Sequence, residues 1–113
     1  MRSLKPDKTT SQNLASGALS YTTSYAQSFK LEQIIFHTSV AISETITITL
    51  DAKAGANYDT ILQEVTLVAE TDFVYRPQGE ANFNSGDEIK VQCTNANLTG
   101  IVYVTLKAGE VSP

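Results

Sequence analysis

A single cysteine, a single histidine and no tryptophan occur among the 113 residues of this chain. One cysteine excludes an intramolecular disulfide, the staple on which small secreted domains commonly rely, and so favours folding in a reducing cytoplasm. One histidine excludes a His-rich metal site. No apolar run approaches the length needed to cross a bilayer, and the basic residues after Met1 lead into no apolar stretch of the secretory kind. Neither membrane insertion nor a leader is therefore expected. The G-x-S-x-G turn that exposes a serine nucleophile is missing as well, so serines, aspartates and one histidine remain composition without a catalytic pattern. Charged residues make up 18% and hydrophobic ones 42%, enough for one core and too little charge for a disordered tail. The length suits one domain.

The scarce charge is also uneven. The formal net charge is −4, yet residues 1–16 carry Arg2, Lys5 and Lys8 against Asp7 only, leaving an acidic remainder. An acidic body argues against nucleic acid, whose binders draw much of their affinity from cationic surfaces. A basic segment on an acidic body suggests that the two have different partners. Residues 1–16 offer little to bury beyond Leu4 and Leu14 and include Lys5-Pro6-Asp7 and the polar run Thr9-Thr10-Ser11-Gln12-Asn13. They read as an extended or mobile N-terminal arm, with residues 17–113 forming the folded domain.

What the domain does contain is β-type alternation. Eight short runs read as strands: 19–25, 29–38, 45–50, 61–68, 72–76, 81–83, 88–94 and 100–106. In Thr45-Ile46-Thr47-Ile48-Thr49-Leu50 the aliphatic residues face a core and the threonines face outward, with β-branched residues on both faces. Glu88-Ile89-Lys90-Val91-Gln92-Cys93 alternates likewise and follows the turn-prone Asn84-Ser85-Gly86-Asp87. Cys93 falls on the apolar side and reads as a small buried hydrophobe. From Ile101 to Leu106 both faces carry apolar residues, so Ile101 and Tyr103 are candidates for contact with another chain. Residues 58–65 could start a short helix capped by Asp59, but Thr60, Ile61 and Val65 favour strand. Many short strands between turns indicate an all-β antiparallel sandwich, and eight of them fit a jelly roll.

Candidate chemistry is thin. His37, after Ile34-Ile35-Phe36, reads as a strand-end histidine without a special role. Asp51 and Asp59 flank a loop that could attract calcium, but the spacing matches no EF-hand and Lys53 intrudes, so solvated turn acids are expected. Asn97-Leu98-Thr99 fits a glycosylation acceptor and more simply a turn. Five tyrosines could form a sugar-stacking face, an idea weakened by the lack of tryptophan. No catalytic residue, metal or cofactor is expected.

Two stretches carry a family resemblance. They are Ile46-Thr47-Ile48-Thr49-Leu50-Asp51-Ala52-Lys53-Ala54-Gly55-Ala56-Asn57-Tyr58-Asp59-Thr60-Ile61-Leu62 and Phe83-Asn84-Ser85-Gly86-Asp87-Glu88-Ile89-Lys90-Val91. Both resemble segments of the small jelly-roll cement or decoration proteins on the outside of tailed-bacteriophage heads. The resemblance implies a non-enzymatic virion protein, made in the bacterial host cytoplasm and bound to the outer capsid surface. There it would staple neighbouring major capsid subunits as a dimer or trimer, often with the help of a terminal arm. On that reading Arg2, Leu4, Lys5, Lys8 and Leu14 of the arm, with Ile101 and Tyr103 of the domain, are the candidate partner-binding residues. The alternative is a receptor- or carbohydrate-binding module of a phage tail or fibre, with an enzyme ranked far behind.

Overall fold

The computed structural model describes residues 8–25, 27–77 and 82–110. Nine strands run in chain order: β1 Lys8–Asn13, β2 Leu19–Ser24, β3 Phe29–Ile42, β4 Thr45–Asp51, β5 Thr60–Thr66, β6 Glu70–Tyr75, β7 Asn82–Phe83, β8 Glu88–Cys93 and β9 Ile101–Glu110. One antiparallel sheet, here sheet A, has the order β1-β9-β3-β6, with β7 also pairing β3; the other, sheet B, has the order β2-β8-β4-β5. Together they form a β-sandwich around one apolar core. Among the described residues no helix is long and apolar enough to cross a membrane.

Alternation decides which side of each strand faces that core. On sheet B, Ile46 lies opposite Cys93, Ile48 opposite Val91 and Leu50 opposite Ile89, so the apolar sets of β4 and β8 coincide. Ile46, Ile48, Ile89, Val91 and Cys93 are buried and Leu50 is packed partly against them. On sheet A, Leu106 faces Ile34 and Val104 faces Phe36, which in turn opposes Phe73. Leu31 and Ile34 are both buried although three residues apart. A bulge against β9 between Leu31 and Gln33 absorbs the extra residue and restores the inward phase.

All eight expected runs are strands, and a ninth strand corrects the reading of the N-terminal segment. Lys8–Asn13 forms β1, paired residue for residue with β9 from Lys8↔Leu106 to Asn13↔Ile101. The segment is polar because it is an edge, where threonine and serine suit a half-exposed surface. Leu14 is no partner-binding residue of a mobile arm: it is fully buried in the core, and its N–H donates to the Gly100 carbonyl at 2.9 Å. Lys8 is half-buried, its ammonium 5.1 Å from the centre of the Tyr25 ring. Arg2, Leu4 and Lys5 lie outside the described residues.

Two smaller expectations shift. Residues 56–58 make a single 3₁₀ turn, and the strand preferred for this region follows it, at Thr60–Thr66. His37 sits within the fourteen-residue β3 rather than at a strand end.

Burial therefore predicts that Ile48→Ala and Leu14→Ala each cost about 2–5 kcal/mol. Thr47→Ala, on the outer face, should stay within about 0.5 kcal/mol. Urea unfolding of the three variants checks this; a Leu14→Ala protein as stable as the parent would return the segment to the arm reading.

Candidate functional site

Loops joining strands of opposite sheets gather at the two ends of the sandwich. At one end lie residues 14–18, 43–44, 67–69 and 94–100, drawn together by Glu44. Its side chain is 1% exposed. One carboxylate oxygen accepts the Thr94 hydroxyl at 2.7 Å and the Ala96 N–H at 3.0 Å, and the other accepts the Asn97 N–H at 2.8 Å. The Glu44 carbonyl accepts the Leu67 N–H at 2.8 Å. Ser43 extends the link in both directions: its hydroxyl accepts the Ala69 N–H at 3.0 Å and its carbonyl accepts the Asn97 side-chain amide at 2.7 Å. The Asn95 amide donates to the Leu14 carbonyl at 3.3 Å, which ties in the fourth loop.

Burial alone would raise the Glu44 carboxyl; the hydrogen bonds from Asn97, Thr94 and Ala96 outweigh it and hold the group below the usual glutamate value. The neighbouring Cys93 thiol is pushed up to about 11, by burial first and by the Glu44 charge second. It stays protonated at neutral pH and is a packing residue.

At the opposite end the acidic side chains serve the backbone too. Asp87 accepts the Lys53 and Asn84 N–H groups, each at 3.0 Å, and Asp59 accepts the Ala52 N–H at 2.8 Å. The chain turns tightly at Gly86, with φ of 93°, and a Cβ there would stand 2.6 Å from the Lys53 side chain. Among the described residues no group of three or more His, Cys, Asp or Glu side chains is placed to hold a metal ion.

The two outer sheet faces differ in chemistry. Sheet B presents Ser20, Gln92, Thr47 and Glu64 in one cross-strand row and Thr22, Lys90, Thr49 and the exposed Ile61 in the next. Sheet A presents Ser11, Tyr103, His37 and Asp72 in one row and Thr9, Thr105, Ile35 and Val74 in the next. Tyr103 is 45% and Val74 39% exposed, while Ile101 is half-buried on the same face. The two residues singled out on β9 thus do face outward. His37 stacks on Tyr103 with ring centres 6.4 Å apart, and its Nδ1 donates to Asp72 at 2.6 Å. That hydrogen bond, then one from Thr71, keeps the Asp72 carboxyl below its usual range. A shallow depression of about 450 Å³ runs beside Tyr103, lined by Thr9, Ser11 and Thr105 among others.

Sequence reasoning missed Glu44, whose partners lie some fifty residues away in the chain, and the pairing of His37 with Asp72. Either needs the strand register before it can be seen. Among known proteins, no family model, curated protein or solved structure matches this chain.

The Glu44 clip predicts a specific acid response. Its carboxyl is more acidic folded than unfolded, so its contribution is complete above the ordinary glutamate range, near about 4.3, and is lost as pH falls through the lowered folded value. Glu44→Gln should cost about 1–3 kcal/mol at pH 7, because an amide nitrogen meets a backbone donor. The gap between the two proteins should narrow from pH 7 to pH 3 in denaturant titrations. A gap that stays constant would assign the loss to packing instead.

Proposed function

We propose that this chain is a jelly-roll decoration protein, a non-enzymatic component that binds the outer surface of a bacteriophage head and links neighbouring capsid subunits. Support for the jelly roll comes from the strand orders β1-β9-β3-β6 and β2-β8-β4-β5, with most consecutive strands exchanging sheets. Two Greek keys wound together give that alternation. Support for a structural role comes from the use made of acidic side chains, since Glu44, Asp59 and Asp87 all accept backbone N–H groups.

The observation that carries the reading is the contrast between the outer faces. Sheet B is covered mostly by hydroxyl, amide and charged groups that water solvates well, with the exposed Ile61 at its β5 edge, whereas sheet A exposes Tyr103 and Val74 around the half-buried Ile35 and Ile101, an apolar row that crosses several strands. Aromatic and aliphatic side chains on a flat, rigid face are what protein association uses. Sheet A is accordingly the face for a second copy of the chain, and the resulting oligomer multiplies weak contacts to a repeating shell.

The depression beside Tyr103 favours one other reading, a carbohydrate-binding module of a tail or fibre. An exposed ring flanked by the Thr9, Ser11 and Thr105 hydroxyls suits a neutral sugar, with stacking on the ring and hydrogen bonds around it.

The first reading predicts that the purified protein self-associates in sedimentation experiments and cosediments with empty shells of the major capsid protein. Tyr103→Asp should shift the oligomer toward monomer and weaken shell retention together. A protein that ignores shells but shows Tyr103-dependent shifts with a panel of oligosaccharides would replace the first reading with the second.

A further inference from the structure

The outer face of sheet A carries opposite charge at its two ends. Alternation turns Lys30, Gln33, Ile35 and His37 of β3 outward, since Phe29, Leu31, Ile34 and Phe36 are buried. It turns Tyr103, Thr105 and Lys107 of β9 outward in the same way, between the buried Val102, Val104, Leu106 and Ala108. At the end where β3 begins stand Lys30, Lys107 opposite Gln33, and the exposed Arg76 just past Tyr75, the last paired residue of β6. Glu32, in the bulge of β3, is the acid among them. At the other end stand the exposed Glu70 and Asp72, the latter bonded to His37. Among the described side chains, bases thus outnumber acids at the first end, and acids predominate at the second. The row between the ends, Thr9, Thr105, Ile35 and Val74, is uncharged. Val74 lies midway between Asp72 and Arg76, about 7 Å from each along an extended chain.

Such a face is complementary to itself turned end for end. Packed sheets keep their strands within about 30° of alignment, which leaves two copies meeting through this face two symmetric arrangements. With the two-fold axis along the strands, ends of like sign lie together and β6 covers β1, which turns only Thr9, Ser11 and Asn13 outward. With the axis across the strands, ends of opposite sign meet and β6 covers β6. We propose that this chain forms a closed dimer of the second kind, sheet A on sheet A, with its axis along the row Thr9, Thr105, Ile35 and Val74; this rests on the reading of sheet A as the self-association face. Ile35 and Val74 each meet their own counterpart, and Asp72 of each copy faces Arg76 of the other. Asp72 already accepts His37 and Thr71, one on each oxygen, and a carboxylate has lone pairs for a further donor.

Another protein would have to reproduce this order of charges, whereas a second copy has it by construction. At the usual strand spacing and rise, the paired strands of sheet A offer about 500 Å² of face per copy. The resulting total of about 1,000 Å² is at the lower end of specific interfaces, so the dimer is a modest one. In such a contact the uncharged row supplies the buried centre, and the charges at its ends fix the orientation. An isologous face is used up at two copies, so association stops at the dimer. Sheet B and the loop ends stay open, and the Glu44 end of one copy lies beside the Gly86 end of the other.

The test places Asp72→Arg and Arg76→Asp in separate full-length proteins. Both positions are exposed, so each variant should melt within about 4 °C of the parent. Alone, each variant sets two like-charged pairs across the axis, and its dimerisation in sedimentation equilibrium should weaken about tenfold or more. Mixed in equal amounts, the two should recover parental association to within about threefold, because both pairs again set arginine against aspartate. Val74→Cys gives an independent reading should either variant misfold. On the axis it meets its own counterpart, so a short bismaleimide should link it into dimers and nothing larger, while the parent, whose Cys93 is buried, stays unlinked. Parental association in the folded single variants, no recovery on mixing them, or a Val74→Cys protein that stays unlinked overturns the arrangement. Each leaves sheet A as the self-association face, which Tyr103→Asp tests separately. A parent that is monomeric at millimolar concentration overturns both.

Discussion

The buried carboxylate of Glu44 is the interaction on which one end of this molecule depends. A β-sandwich core can be built from alternation alone, but the loops that join its sheets have no such instruction. Here they are positioned by one acid that stands in a two-residue turn between β3 and β4 and takes donors from a loop fifty residues later. Burying an ionised group is costly unless its lone pairs are satisfied. Three donors meet that condition, and the same bonds remove the freedom of the loop that provides them. The cost of burial and the order of the loops are therefore one fact, and the exposed tips inherit their fixed geometry from it.

The strands were legible in the sequence because their determinants are local. Period-two alternation in residues 45–50 and 88–93 is enough to assign both the strand and its inward face, and the structure pairs those faces as the pattern requires, whereas in 101–106, apolar on both faces, it assigns only the strand. β1 was not legible for an equally physical reason. An edge strand of lysine, threonine, serine, glutamine and asparagine satisfies hydrogen bonds on one side only and buries little, so its composition matches that of an unstructured segment. The clue was Leu14, an apolar residue at the end of a polar run, which closes the core beside Gly100. The candidate site lay further out of reach. Which of twelve acids is buried depends on where distant backbone donors arrive, and no window of sequence contains both.

The division of the surface follows from the same economy. With both sheet interiors occupied by one core, any partner must be met on an outer face, an edge or an end. Sheet B spends most of its outer face on hydroxyl and charged groups, among them the Thr45 and Thr66 hydroxyls 3.1 Å apart, and exposes Ile61 only at its β5 edge. Sheet A keeps aromatic and aliphatic groups in the open, locked in place by the His37–Asp72 pair and the stack on Tyr103. An exposed hydrogen bond of this kind adds little to stability. Its use is to hold an imidazole and a phenol ring in register across three strands.

Rigid presentation is what would connect these features to the proposed role on a repeating surface. A small domain has too little area to bind one site tightly on each of several faces, and an acidic body is repelled by its own copies over most of its surface. Both constraints relax when contacts are uncharged, already ordered and repeated. Sheet A and the loop end are ordered by separate means, one through side chains stacked on a flat sheet and the other through a buried acid that fixes residues 94–97 against the turn between β3 and β4. Repetition would come from the lattice of the partner. In the proposed role the molecule would need no deep pocket: the work would lie in holding a few apolar groups still, in water, at positions where a periodic surface can accept them.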